Sequence, residues 1–78
     1  MGNNEKLKKA FSESLELSPE IINDDLSYGS ANWDSIAHLA LVASIETEFD
    51  IMLSSDDVID MSSFKKAREI LTKYDIEF

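Results

Sequence analysis

One serine in this chain stands where a phosphate would be welcome. Trp33-Asp34-Ser35-Ile36 closes a polar stretch and opens the longest apolar-periodic run in the sequence, which puts Ser35 at a predicted helix start. A hydroxyl there faces backbone N–H groups without intrahelical partners and the positive end of the helix dipole, so a phosphoester formed on it is electrostatically favoured. Asp34 has a second role at the same point, because its carboxylate is a natural acceptor for first-turn N–H groups. An Asp-Ser pair at a helix start is an ordinary cap in most proteins, and these residues by themselves leave capping and modification both open.

The other residues with chemistry to offer assemble no reaction centre. His38 is the only histidine and lies one turn after Ser35. A general base needs an orienting group and a substrate pocket, and the sequence offers neither, so His38 reads as a surface or partner-facing imidazole. There is no cysteine, which excludes a disulfide framework, a thiolate metal site and a cysteine nucleophile, and which fits a reducing compartment. Asn23 to Asp34 superficially matches a calcium loop through Asn23, Asp25 and Ser27, but Gly29 falls one place late and the closing residue is Asp rather than Glu. No catalytic residue and no metal site is assigned, and enzymatic activity is not expected.

Charge narrows the partners. The net charge is −9, and no Lys or Arg occurs between Ala10 and Phe64, a span that carries twelve acids. Nucleic acid and anionic lipid are therefore poor partners, whereas basic patches on other proteins are good ones. No apolar run approaches the roughly 20 residues of a membrane span, and the N-terminus lacks the layout of a signal peptide. A cytoplasmic monomer is the expectation. With 78 residues, a single domain over 1–78 is expected, too small to enclose a deep active site.

The elements that must position Ser35 follow from periodicity. Leu7, Ala10, Phe11 and Leu15 recur at helical spacing and predict a first helix from about Asn4 to Leu17. Ser18-Pro19-Glu20 predicts a short helical turn reaching Ile22. A long loop follows to Trp33, with Leu26 and Tyr28 as its anchors and Trp33 partly buried. The second helix runs from Asp34 or Ser35 to Phe49, with Leu41, Val42, Ile45 and Phe49 on one stripe. Ile36, Leu39, Ala40 and Ala43 extend apolar character onto a neighbouring face, and the pattern alone favours burial of that face too. Ser54-Ser55-Asp56-Asp57 opens a helix of a turn or two, and Ser62-Ser63 caps a last helix with the stripe Phe64, Ala67, Ile70, Leu71 and Tyr74. The fold class is all-α: a small four-helix bundle of three main helices and a short third one, with a long loop between the first two.

Asp34-Ser35-Ile36 resembles the Asp-Ser-Leu signature at the start of the second helix of acyl carrier proteins. Leu41-Val42, Ile45-Glu46, Glu48-Phe49 and Ile51 follow at suitable spacing, then Ser54, Asp56 and Asp57. Length, acidity, loop placement and helix order agree over nearly the whole chain. The resemblance implies that Ser35 is esterified with 4′-phosphopantetheine, taken from coenzyme A by a separate phosphopantetheinyl transferase that also recognises Asp34. It further implies that the arm's thiol carries acyl or aminoacyl groups as thioesters for a ligase, synthase or acyltransferase. Ile36, Leu39, Ala43 and Glu46 lie on the side of the second helix that such partners approach in the family.

The sequence also departs from the family's fatty-acid members. Ala37 and Ala40 stand where acids are common, and Trp33 replaces a small residue, which points toward a discrete carrier of a specialised lipid, polyketide, amino-acid or glycan-linked pathway. Ile36 in place of leucine keeps a peptidyl-type carrier in view. The rival from another class is an acidic helical interaction module in which Ser35 is only part of a helix cap.

Overall fold

The computed structural model describes residues 2–78. Four α-helices, α1 (Asn3–Leu15), α2 (Ser35–Phe49), α3 (Ser55–Asp60) and α4 (Phe64–Thr72), are joined by loops, with one 3-10 turn at Pro19–Ile21. The all-α bundle with a long first loop and a short third helix is the architecture the apolar periodicity demands.

Each helix boundary has a local cause. The first helix stops at Leu15, two residues before the predicted end, because Glu16 adopts the left-handed conformation and the N–H groups of Glu16 and Leu17 both turn back to the Ser12 carbonyl. Leu17 then packs against the core from outside the helix. At the far end of α2, Asp50 makes the same left-handed stop, with its N–H and that of Ile51 directed at the Glu46 carbonyl. Ser54 and Ser63 cap α3 and α4 by accepting from the N–H groups of Asp57 and Lys66. Ser18, by contrast, precedes its turn without a side-chain cap bond.

The core gathers around Phe11. Its ring meets Trp33 edge-on at 5.2 Å between centroids and Phe64 edge-on at 5.1 Å, an arrangement that favours aromatic pairs beyond the area they bury. Leu7, Leu15, Ile22, Leu41, Ile45, Met61, Ile70 and Leu71 are among the other side chains buried with them. Tyr74 lies beyond the end of α4 and is half-buried. The first loop is strapped across the bundle: the Tyr28 N–H donates to the Ser62 carbonyl at 2.8 Å and the Phe64 N–H to the Leu26 carbonyl at 3.0 Å. This strap ties the approach to Ser35 to the start of α4.

Among the described residues, three ion pairs sit between elements. Lys9 on α1 meets Glu48 on α2 at 3.3 Å, and Arg68 on α4 meets Asp24 of the first loop at 2.5 Å. The third is of another kind. Among the described residues Asp57, on α3, is the one charged residue that is buried, and its carboxylate takes Lys73 Nζ at 2.5 Å on one oxygen and the Tyr74 hydroxyl at 2.6 Å on the other.

Candidate functional site

The site forms where the first loop delivers the chain into α2. Asn32 donates its amide to the Leu15 carbonyl at 2.8 Å, anchoring the loop to the end of α1. Ala31 and Gly29 both adopt positive φ; at Gly29, with φ near 90°, the missing side chain is what makes the turn easy. Trp33 then plunges into the core, and Asp34 and Ser35 return to the surface.

Asp34 is the true N-cap: its Oδ1 accepts from the Ala37 N–H at 2.8 Å. This leaves Ser35 at the first helical position, exposed, with its hydroxyl released from capping duty. The N–H groups of Ser35 and Ile36 precede the first intrahelical bond, from His38 N–H to the Asp34 carbonyl at 2.8 Å. They remain available to an anion carried on the serine.

Two grooves meet at Ser35. One, of about 410 Å³, is apolar and lies between α2 and α3, lined by Tyr28, His38, Leu39, Val58, Ile59 and Met61, with Ser35 and Ser62 at its edge. The other, of about 560 Å³, is polar and runs along the loop past Glu16, Gly29, Asn32 and Asp34. A substituent on the Ser35 oxygen therefore has a polar trough on one side and an apolar one on the other.

The structure corrects several expectations from the sequence. The second apolar face of α2 is not buried: Ile36 is 79% and Leu39 67% exposed, and Ala40 and Ala43 are also exposed. The physical reason is that Leu41, Val42 and Ile45 make the contact with the core, which leaves most of the opposite side to solvent among the described residues. Trp33 is fully rather than partly buried, at 1% exposure. Tyr28 anchors the loop through its backbone bond to Ser62 and through ring contacts with Trp33 and His38, while its side chain stays about half exposed. His38 is not a surface imidazole. It is half-buried, accepts from the Trp33 indole N–H at Nδ1 at 2.9 Å, and reaches the Val58 carbonyl through Nε2 at 2.8 Å.

The expected partner-facing residues divide. Ile36, Leu39 and Ala43 share the exposed face of α2 with Ser35 at its head. Glu46 is half-buried, and its Oε2 accepts from the Leu53 N–H at 2.9 Å, so one carboxylate oxygen is committed to holding the loop after α2. Asp57 was visible in the sequence only as a first-turn acid. In the fold, the Lys73 ammonium and then the Tyr74 hydroxyl hold its carboxyl below the ordinary aspartate range, and the bond to Asp57 raises Lys73 above the usual lysine value. Among the described residues no helix is long and apolar enough to cross a membrane.

The all-α bundle thus raises an exposed serine, Ser35, at the start of its second helix. Comparison with known proteins gives the family. Residues 5–69 match the family described as "Phosphopantetheine attachment site". Among curated proteins, the chain is similar to the acyl carrier proteins of two Buchnera aphidicola subsp. Acyrthosiphon pisum strains, Tuc7 and APS, at 27% identity over 74 residues, covering 94% of this chain and 92% of each relative. The chain belongs to the phosphopantetheine-attachment family, as a non-catalytic carrier of the acyl carrier protein type. Its cofactor is covalent 4′-phosphopantetheine, and its activation requires a phosphopantetheinyl transferase.

Proposed function

We propose that Ser35 is the residue esterified by 4′-phosphopantetheine and that the loaded chain presents acyl or aminoacyl groups to the enzymes of a specialised biosynthetic pathway. The observation that carries this reading is the division of labour at the start of α2. Asp34 takes the cap, and Ser35 is left exposed at the first helical position with its hydroxyl free for a transferase.

The residues present fit the group. The phosphodiester would meet the N–H groups of Ser35 and Ile36 and the positive end of the α2 dipole. No basic residue is needed there, and none occurs between Ala10 and Phe64. When bound, the arm supplies a thiol that this cysteine-free chain lacks. The chain's own residues then serve to expose, orient and address it.

Docking is assigned to the exposed face of α2. Ile36, Leu39 and Ala43 offer an exposed apolar strip below Ser35 on a chain of net charge −9. A shallow apolar groove rimmed by Arg and Lys on an acyl-handling enzyme or the transferase is its complement. Glu46 contributes charge to this face through the carboxylate oxygen not bound to Leu53. Ala37 and Ala40 deprive the first turns of α2 of the acids common in fatty-acid carriers, which supports partners other than those of housekeeping fatty-acid synthesis.

Incubation of the apo protein with coenzyme A and a broad-specificity transferase, followed by intact mass measurement, tests the reading. One phosphopantetheine adduct is expected on the wild type and none on Ser35→Ala. No adduct on the wild type, or one that survives the substitution in a folded variant, overturns it.

A further inference from the structure

We propose that His38 is a positioning residue: it ties α2 to α3 and to the base of the first loop, and so fixes the wall of the apolar groove beside Ser35. Its functional meaning rests on Ser35 being the attachment residue, but the bridge itself is testable without that reading.

The hydrogen bonds dictate how the imidazole works. Indole Nε1–H is a donor only, and a backbone carbonyl is an acceptor only. Trp33 Nε1 lies 2.9 Å from His38 Nδ1, and the Val58 carbonyl lies 2.8 Å from His38 Nε2. Nδ1 must therefore present its lone pair and Nε2 must carry the proton, so a single neutral tautomer satisfies both partners. Each partner needs the bond. Trp33 is buried to 1% exposure, and an indole N–H left unpaired there would be costly. The Val58 carbonyl belongs to the last turn of a six-residue helix, whose final carbonyls have no intrahelical partner. The Asp57 carbonyl is served by the Met61 N–H; the Val58 carbonyl is served by a side chain from another helix.

The position of this bridge gives it consequence for the site. His38 follows Ser35 by one turn and lines the same groove as Val58, Ile59 and Met61. Its ring lies nearly parallel to that of Trp33, with centroids 5.9 Å apart across the hydrogen bond, and meets Tyr28 at right angles at 5.6 Å, so the imidazole joins three segments of the chain around the attachment point. A six-residue helix has little stability of its own. Its placement depends on tertiary ties, of which His38 supplies the one nearest Ser35.

The test begins with the unmodified 78-residue wild-type chain labelled with 15N. Long-range 1H–15N correlation of the imidazole is expected to report one Nε2–H tautomer at neutral pH; the Nδ1–H tautomer or a mixture overturns the bridge. Amide exchange is then compared for His38→Leu, which removes both bonds, and His38→Gln, whose terminal amide still reaches the Val58 carbonyl. In His38→Leu the Val58 and Met61 amides are expected to exchange roughly tenfold faster than in the wild type, with α1 amides little changed, and His38→Gln is expected to restore most of the protection. Unchanged exchange in α3, or equal acceleration in α1 and α3, overturns the proposal.

Loading kinetics with coenzyme A and a transferase complete the experiment. For the Leu variant, KM for the carrier is expected to rise severalfold with kcat nearly kept, and the Gln variant is expected to recover. A folded Leu variant loaded with wild-type kinetics reduces His38 to a merely structural role and also overturns the proposal. A wild type that takes no arm at all would refute Ser35 as the attachment residue, while the tautomer and exchange results would still decide the bridge.

Discussion

Trp33→Phe isolates what the indole adds to this bundle beyond an aromatic ring. Trp33 is 1% exposed, meets Phe11 edge-on and donates its N–H to His38. Phenylalanine keeps a ring against Phe11 but removes the donor and the buried atoms of the outer, fused benzo ring. The lost hydrogen bond is worth about 1 kcal/mol net. The lost apolar contact and the cavity it leaves add about 1–2 kcal/mol. A total of about 2–3 kcal/mol would be a large share of the roughly 4–12 kcal/mol available to a chain of this size, and corresponds to a Tm lowered by roughly 10–20 °C. Urea unfolding followed by far-UV circular dichroism is the assay, because the substitution removes the only tryptophan and with it the usual fluorescence probe. The same measurement on His38→Leu and on the double variant closes a cycle, and a coupling of about 1 kcal/mol between the two positions is expected. A loss below about 0.5 kcal/mol for Trp33→Phe, or a cycle that closes without coupling, would refute the reasoning.

Asp34→Ala should cost about 1 kcal/mol through loss of the cap to the Ala37 N–H, measured by urea unfolding, and Asp34→Ser should recover most of it. Asp57 and Lys73 predict opposite pH limbs. The depressed Asp57 carboxyl contributes stability that is fully present above the ordinary aspartate value and is lost as pH falls through its lower folded value, so below about pH 4 Asp57→Asn should lose less stability than the wild type. The raised Lys73 contributes stability present below its ordinary value and lost only as strongly alkaline pH passes its folded value, and Lys73→Met should flatten that limb in pH-dependent thermal melts. Leu39→Asp, on the exposed face of α2, should change unfolding free energy by no more than about 0.5 kcal/mol. The same substitution should slow transfer between the loaded chain and its partner enzymes, read by intact mass over time.

What was legible in the sequence was whatever short-range pattern encodes. The stripes Leu7–Phe11, Leu41–Ile45 and Phe64–Leu71 announced the helices that they bury, and Ser54, Ser63 and Asp34 announced where three of them start. Ser35 could be placed at the head of α2 for the same reason, since capping is a matter of three residues. What was not legible depends on partners far along the chain. Asp57 looked like one first-turn acid among several until Lys73 and Tyr74 closed on it. His38 looked exposed because its two partners, Trp33 and Val58, lie on either side of it with no periodic relation. The outer face of α2 was misjudged for a different reason: apolar periodicity reports which residues could be buried, and only the packing of neighbours decides which are.

The strap between the first loop and the start of α4 also bears on the order in which this molecule comes together. Joining Ser27 to Ser63 closes a loop that contains all of α2 and α3. Closing roughly 35 residues costs about 3 kcal/mol of chain entropy before any contact repays it. The strap therefore closes only when the intervening helices are compact enough to bring its two ends together. The approach to Ser35 and the docking of α4 are thus coupled through the Tyr28–Ser62 and Leu26–Phe64 bonds.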